Sequence, residues 1–422
     1  MTHLFVHLKR LYLFGAVLVS SFASGKAADN FVILEEYRYT ASATQRIARV
    51  GPVSTGCRGG KIEGAVSIKG KVFLVKYVDD FANCTNLASI TFPENILSIG
   101  SFMNCYTLKA IDIPEQVTSL TQQAFMNCYH LASVSIPAGI SSIGEQAFRN
   151  CEMLKSLDLS ESEISKLGRR TFQNCIRLQT IIHLPTSLKE IGDLAFQGCE
   201  KLDSIEIPPK VYSVGIQAFQ GCKSLKKATF TQEKERVSIR NHVFDGCISL
   251  KEVEMPLTLI YIGKYAFRNC ISLLEANIPE GSQRIENCAF ENCQSMKRLK
   301  IPASTESIGD SAFIGCTALD TVYAYMDTLC LTGKDVFKDF SDHCVLMVPA
   351  GMRPAYIAAG WTEDIFKGGI MEMPVPEGIR PILVRDSQKE EIFSIDGRRL
   401  AKPQKGLNII RYQDGTTKKV LR

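Results

Sequence analysis

The sequence is poor in histidine and in tryptophan. Its 422 residues include six histidines and one tryptophan. The four histidines beyond residue 27 lie far apart, without the short spacings of a metal site. They are His130, His183, His242 and His343. We expect these to be single surface or turn residues, and we expect no metal, cofactor or catalytic centre.

A phosphate loop and a cysteine metal pair are also missing. Gly51 and Gly56 have phosphate-loop spacing, but Cys57-Arg58 follows where Lys-Ser/Thr is required. Cys288 and Cys293 are close in sequence, yet no second pair follows them. Neither pattern predicts chemistry.

Long hydrophobic runs are absent except near the N terminus. Lys9 and Arg10 precede an apolar stretch from Leu11 to Val19, and Gly25-Lys26-Ala27 ends in small residues. This predicts a signal peptide over 1–27, with a retained anchor as the alternative, and a secreted or cell-surface protein. Cleavage would remove three basic residues and no acidic ones, lowering the net charge from +5 to +2. That balance argues against a nucleic-acid partner.

Cysteine is abundant, and its spacing reveals an internal repeat. Eleven of the fifteen cysteines follow one another at intervals of 21 to 25 residues. This cysteine ladder consists of Cys84, Cys105, Cys128, Cys151, Cys175, Cys199, Cys222, Cys247, Cys270, Cys293 and Cys316. Such a period is typical of a solenoid, in which stacked units bury a continuous core.

Each unit repeats further positions around its cysteine. Phenylalanine stands three residues before it in all eleven copies, and Asn or Gly stands directly before it. Leucine stands three residues after it, replaced once by Met296. An apolar-x-apolar-Pro segment and a Ser-Ile-Gly type segment complete the unit, as at Ile111–Pro114 and Ser142–Gly144.

The apolar spacing changes within a unit. Ala147, Phe148, Cys151 and Leu154 recur every three to four residues, which predicts a short helix. Residues 157 and 159 alternate, which predicts a short strand. Stacked strands would form a ribbon on the order of 50 Å long, at roughly 4.8 Å per strand. The glycine of the closing segment is expected to allow the turn into the next helix.

The ladder cysteines have two interpretations. Equivalent side chains on stacked units run parallel, which favours buried thiols over the crossed geometry of a disulfide. Some disulfide pairing is the alternative, because exported cysteines usually oxidise. Cys57, Cys288, Cys330 and Cys344 lie outside the ladder, and a Cys330–Cys344 bridge is one alternative for the C-terminal region.

Different patterns flank the repeats. We predict an N-terminal cap over 28–80, about eleven repeats over 81–325, and a C-terminal cap over 326–372. A short helix from Ala355 to Trp361 is expected in the second cap, with Trp361 as a packing residue. Residues 373–422 are predicted to form a linker and a small β-rich module, with strands near 392–399, 406–411 and 418–421.

The combination Ala-Phe-x-x-Cys-x-x-Leu, Ile-x-Ile-Pro and Ser-Ile-Gly closely resembles the BspA-like class of leucine-rich repeats. This class is common in surface proteins of Bacteroidetes, spirochaetes and some protozoa. The resemblance implies a leucine-rich-repeat solenoid, an α/β repeat with parallel strands on one face and short helices on the other. It also implies attachment to host proteins or cells. The tail resembles the short C-terminal modules of exported Bacteroidetes proteins, some of which are type IX secretion signals.

Function is then expected on the strand ribbon, five and seven residues after each ladder cysteine. Candidate partner-binding residues are Asp112, Asp158, Glu206, Glu254, Lys297, Arg298, Lys300 and Tyr323. Solvated side chains without a partner are the alternative. A polar ribbon without exposed aromatic residues favours an extracellular or host protein over a glycan. The sequence therefore predicts a non-enzymatic adhesion protein; the alternatives are a glycan-capture or enzyme-accessory module and an envelope scaffold.

Overall fold

The computed structural model describes residues 30–182, 184–231, 236–326 and 331–374, and four strands between 391 and 421. The proposed signal peptide, His183, Cys330 and most of the predicted linker lie outside the described residues. The chain divides into a unit that ends at Met371 and a unit that begins at Glu372.

The first unit is a solenoid of stacked parallel strands. Each repeat contributes a short ribbon strand that begins five residues after its ladder cysteine. Ser156, Leu157 and Asp158 pair in register with the equivalent residues of the next repeat. The ribbon strands are Gly59–Lys61, Ser89–Thr91, Ala110–Asp112, Ser133–Ser135, Ser156–Asp158, Thr180–Ile182, Ser204–Ile207, Lys227–Phe230, Glu252–Glu254, Glu275–Asn277, Arg298–Ile301, Thr321–Ala324, Val345–Val348 and Ile370–Glu372.

The Ser-Ile-Gly type segments form a second parallel sheet of ten strands. Its members are Ser119–Leu120, Ser142–Ile143, Lys166–Leu167, Glu190–Ile191, Ser213–Val214, Val237–Ile239, Leu259–Ile262, Arg284–Ile285, Ser307–Ile308 and Leu331–Thr332. Glycine follows seven of these ten strands and lies against the preceding repeat. A Cβ on Gly215 would lie 2.3 Å from the Asp193 backbone nitrogen. Close backbone approach, rather than entry into a helix, therefore requires glycine here.

The short helices predicted on the opposite face are wrong: this face consists of consecutive turns. Gln146 and Asn150 have positive φ angles of 59° and 61°, which no α-helix accommodates. The N–H groups of Gln146, Phe148 and Asn150 donate to carbonyl oxygens of the next repeat at 2.8 to 3.0 Å. Hydrogen bonds between repeats thus replace those within a helix.

The core contains a continuous stack of phenylalanine rings. Twelve rings from Phe81 to Phe337 follow one another with centroid distances between 4.9 and 6.0 Å and interplanar angles of at most 16°. Phe337 continues the stack beyond Phe313, although no cysteine follows it three residues later. The offset-stacked rings bury a large apolar surface.

The residue before each ladder cysteine has a left-handed backbone conformation. Its φ lies between 59° and 74° in all eleven repeats, which explains the restriction to Asn or Gly. The asparagines also bond to one another between repeats. Asn127 Nδ2 donates to Asn104 Oδ1 at 2.8 Å, and Asn150 Nδ2 donates to Asn127 Oδ1 at 2.7 Å.

Substitution of Asn127 separates these two effects. We expect Asn127→Gly to lose both side-chain hydrogen bonds, about 1 kcal/mol each, while retaining the left-handed backbone conformation. Asn127→Ala should cost about 1 to 2 kcal/mol more, because alanine is unfavourable at positive φ. Urea denaturation followed by circular dichroism measures both. An alanine variant as stable as the glycine variant would contradict the explanation.

Both ends of the solenoid are covered by other structure. At the N terminus, a mixed sheet contains Phe31–Leu34, Tyr37–Ala41, Ile47–Pro52, Lys71–Val78 and Ala65–Ile68 in spatial order, and Ser98–Ile99 also pairs with Lys71–Val78. At the C terminus, the helix spans Arg353–Ala358 rather than the predicted Ala355 to Trp361. Trp361 follows it and is 2% exposed, with its ring 4.6 Å from that of Phe337.

In the second unit, the described strands pair antiparallel. Glu391–Ser394 pairs with Arg399–Leu400 and with Leu407–Arg411. Leu407–Arg411 also pairs with Thr417–Leu421.

Candidate binding surface

The strand ribbon presents alternate side chains to solvent. In Ser156–Asp158 the outer two side chains are exposed and Leu157 is buried. The same alternation occurs in Ala110–Asp112 and in Ser204–Ile207. Positions five and seven after the cysteine therefore form two parallel columns on the outer surface, because side chains alternate along a strand.

The predicted acidic residues lie in the column formed by position seven. Asp112, Asp158, Glu206 and Glu254 are all exposed. Glu206 and Glu254 flank Thr229 on successive strands, in the order Glu206, Thr229, Glu254. The ribbon thus brings together acidic residues that lie many positions apart in the sequence.

The predicted basic patch lies further along the same ribbon. Lys297, Arg298 and Lys300 are exposed on or beside one strand. Lys300 is in register with Asn277 on one side and Tyr323 on the other. Tyr323 is half-buried. The column therefore changes from acidic to basic along the solenoid.

Several candidates already have partners within the chain. Lys227 bonds to Glu254, and its Nζ lies 3.1 Å from Glu252 Oε1. The hydrogen bond from Lys227 lowers the pKa of Glu254. Arg298 lies 3.1 Å from Glu275. These exposed pairs contribute little to stability and remain open to exchange with a partner.

Two features of the ribbon were missed by sequence reasoning. One is Tyr325, which is 39% exposed and lies two residues after Tyr323. The prediction that the ribbon carries no exposed aromatic residue is therefore wrong. The other is an interrupted row of exposed lysines, each four residues after a ladder cysteine, in five of the eleven repeats. The row comprises Lys109, Lys155, Lys226, Lys251 and Lys297. The constant offset from cysteine could have revealed the row, since each lies directly before its ribbon strand.

Comparison with known families identifies the repeats. The model for BspA type leucine rich repeat regions matches in six copies, over residues 77–179, 166–238 and 237–342. These matches cover more than half of the chain. The chain belongs to the BspA-type leucine-rich repeat family. No curated protein sequence matches it.

Solved structures of bacterial leucine-rich proteins are similar to this BspA-type chain. A leucine rich cell surface protein from Faecalibacterium prausnitzii is 25% identical, with a TM-score of 0.46; the match covers 72% of this chain and 96% of that one. A leucine-rich repeat protein from Bacteroides ovatus is 23% identical, with a TM-score of 0.40, over 75% of this chain and 99% of that one. The family assignment depends on the repeat model.

The ladder cysteines of these BspA-type repeats are free, buried thiols. From Cys105 to Cys316, each Sγ donates to the carbonyl oxygen of the preceding repeat's ladder phenylalanine at 3.1 to 3.3 Å. Burial raises the pKa of the Cys128 thiol to about 12, so it stays protonated and keeps its donor hydrogen. Cysteine supplies a small side chain and a donor in one residue.

A buried carboxylate lies on the turn face. Asp245 is 3% exposed, and its Oδ2 accepts hydrogen bonds from Arg268 at 2.7 Å, His242 at 3.0 Å and Gln220 at 3.0 Å. Burial alone would raise the pKa of Asp245, but these hydrogen bonds lower it. The ring of His242 also stacks on Tyr265 at 4.8 Å. This cluster connects three consecutive repeats.

The described part of the chain contains no group of three or more His, Cys, Asp or Glu residues arranged to hold a metal ion. Among the same residues, no helix has the length and apolar character to cross a bilayer. His130 contacts the Tyr106 carbonyl oxygen at 2.7 Å, and His343 is exposed. BspA-type repeat proteins are generally non-enzymatic binding scaffolds, and no catalytic family is indicated.

Proposed function

We propose that this chain is an exported adhesion protein that binds an extracellular or host protein through its strand ribbon. The family indicates a surface or protein-interaction role. The supporting observation is the outer column of position seven, where charged side chains stand exposed on a regular backbone. Buried columns of Phe, Cys and Leu maintain the fold, so this surface is free to vary in chemistry.

The charge order along the ribbon favours a protein partner with the opposite order. Asp112, Asp158 and Glu206 would face basic groups, and Lys297 with Lys300 would face acidic groups. Complementary charges mainly set specificity and association rate, so binding should weaken as salt rises.

Binding of the full chain to immobilised, purified extracellular-matrix proteins tests this proposal. The triple variant Asp112→Lys, Asp158→Lys and Glu206→Lys should weaken saturable binding at least tenfold. Its control reverses two exposed acids outside the ribbon, Glu161→Lys and Glu306→Lys, and should bind as the wild type does. Absence of saturable binding, or equal binding by the triple variant, would overturn the proposal.

Glycan capture is the second candidate, because Tyr325 is exposed two residues after Tyr323, which is in register with Lys300. Aromatic faces bind sugar rings. A glycan array would separate the two functions: binding that Tyr325→Ala abolishes and the acidic-column variant leaves unchanged would favour a glycan.

A further inference from the structure

Three arginines cluster on the turn face of two neighbouring repeats. Arg149 lies in the repeat of Cys151, and Arg169 and Arg170 lie in the next. Backbone hydrogen bonds fix their relative position through Gln173. Its carbonyl oxygen accepts from Asn150 at 2.8 Å, and its N–H donates to the Arg170 carbonyl oxygen at 3.2 Å. This arginine cluster is remote in sequence from the candidate residues of the basic patch.

Polar atoms in the arginine cluster are buried without partners. The Nε atoms of Arg149 and Arg170 make no hydrogen bond, and neither does Oε1 of Gln173. Gln173 is only 8% exposed. An unpaired buried donor is costly, so the two Nε atoms indicate a missing acceptor, whereas the Gln173 oxygen is itself an acceptor and does not indicate an anion. The hydrogen bond from Arg149 Nη1 to Gln146 Oε1, at 3.0 Å, satisfies a different atom.

The cluster also has no paired carboxylate. Within the described residues, none of the three arginines forms an ion pair. Glu145 and Glu152 are the acids that flank Arg149 in sequence, and neither forms an ion pair with an arginine of the cluster among the described residues. In the following repeat, Asp193 Oδ1 is already bonded to the Ile216 N–H at 2.8 Å.

A matched position shows how such a charge is normally satisfied. Arg268 stands two residues before its ladder cysteine, as Arg149 does, and pairs with Asp245 of the preceding repeat at 2.7 Å. The residue that corresponds to Asp245 for Arg149 is Met126. Burial and the charges of Arg169 and Arg149 lower the pKa of Arg170, as expected for uncompensated like charges.

We propose that the arginine cluster of Arg149, Arg169 and Arg170 binds a phosphate group. Arginine recognises phosphate through charge-assisted hydrogen bonds from its planar fork. An anionic phosphate group would accept from several of these donors and compensate part of the repulsion between the three charges. Free phosphate and a phospholipid headgroup share this chemistry. The proposal is independent of the ribbon.

Isothermal titration of the full chain with inorganic phosphate at low ionic strength tests the site. Saturable binding should fall at least tenfold in the double variant Arg149→Gln and Arg170→Gln. Arg177→Gln removes an exposed arginine outside the cluster and should leave binding unchanged. Circular dichroism checks that each variant is folded. The double variant Arg149→Lys and Arg170→Lys retains both positive charges but lacks the planar guanidinium fork, so it tests whether the fork itself is needed for binding.

Co-sedimentation with phosphatidylcholine vesicles, with and without phosphatidylglycerol, identifies the source of the phosphate. Binding to the anionic vesicles that the double glutamine variant loses assigns a lipid headgroup; phosphate binding without vesicle binding assigns the free ion. No saturable binding in either assay, or equal binding by the double glutamine variant, would overturn the proposal.

Discussion

Phe196→Ala is expected to destabilise the solenoid by about 3 to 5 kcal/mol, the largest effect of any single change considered. Phe196 is fully buried, and its ring lies 5.3 Å from Phe172 and 5.2 Å from Phe219. Truncation would remove contacts with both neighbours and leave a cavity at their interface. Because a solenoid depends on contacts between adjacent repeats, the loss cannot be taken up elsewhere. Urea denaturation followed by circular dichroism measures it.

Phe196→Leu is the matched control. Leucine retains much of the apolar volume, so we expect a loss of only about 1 to 2 kcal/mol. Equal losses for the two variants would show that ring stacking, rather than filled volume, dominates. A loss below about 1 kcal/mol for Phe196→Ala would contradict the buried stack.

Asp245→Asn is expected to cost about 3 kcal/mol at neutral pH, because it leaves the Arg268 charge without its carboxylate. The folded pKa of Asp245 is lowered, so its contribution is fully present above the unfolded pKa of about 4. It disappears as pH falls through the folded pKa. The stability difference between wild type and variant should therefore shrink as the pH falls below 4.

Asp112→Asn is the control for that pH series. Asp112 is exposed on the ribbon, and its removal should change stability by less than about 0.5 kcal/mol at every pH. A difference for Asp245→Asn that does not vary with pH would refute a role for the carboxylate charge. The destabilisation would then come only from lost packing and altered hydrogen-bond geometry.

Much of the binding surface could be predicted because equivalent residues of successive repeats must stack on one another. Once the cysteine period places residues on successive levels, residues at equal offsets must form columns. Asp158 and Glu206 are therefore predicted to share a column, and they do. What the period does not indicate is pairing across the columns. Nothing local in the sequence links Lys227, at position five, to Glu254, at position seven of the next repeat, whereas Glu275 and Arg298 share position five and are neighbours by the period itself.

On the turn face, the sequence pattern was compatible with two different structures. The spacing of Ala147, Phe148 and Cys151 fits a helix, and it equally fits turns in which every second N–H bonds to the next repeat. The deciding signal was the Asn or Gly before each cysteine, which a helix would not need at that position. Positive φ at Gln146, a residue without such a preference, could be seen only in the structure.

By itself, the sequence determined the period, the buried columns of Phe, Cys and Leu, and the ribbon on which charged residues stand, because these follow from residue type at constant spacing. Only the tertiary structure decided which groups meet between repeats. The thiol hydrogen bonds, the Asp245–Arg268 pair and the uncompensated arginine cluster all join residues about one repeat apart. Their energies depend on distances of a few ångströms across a stacking interface, and sequence spacing does not specify those distances.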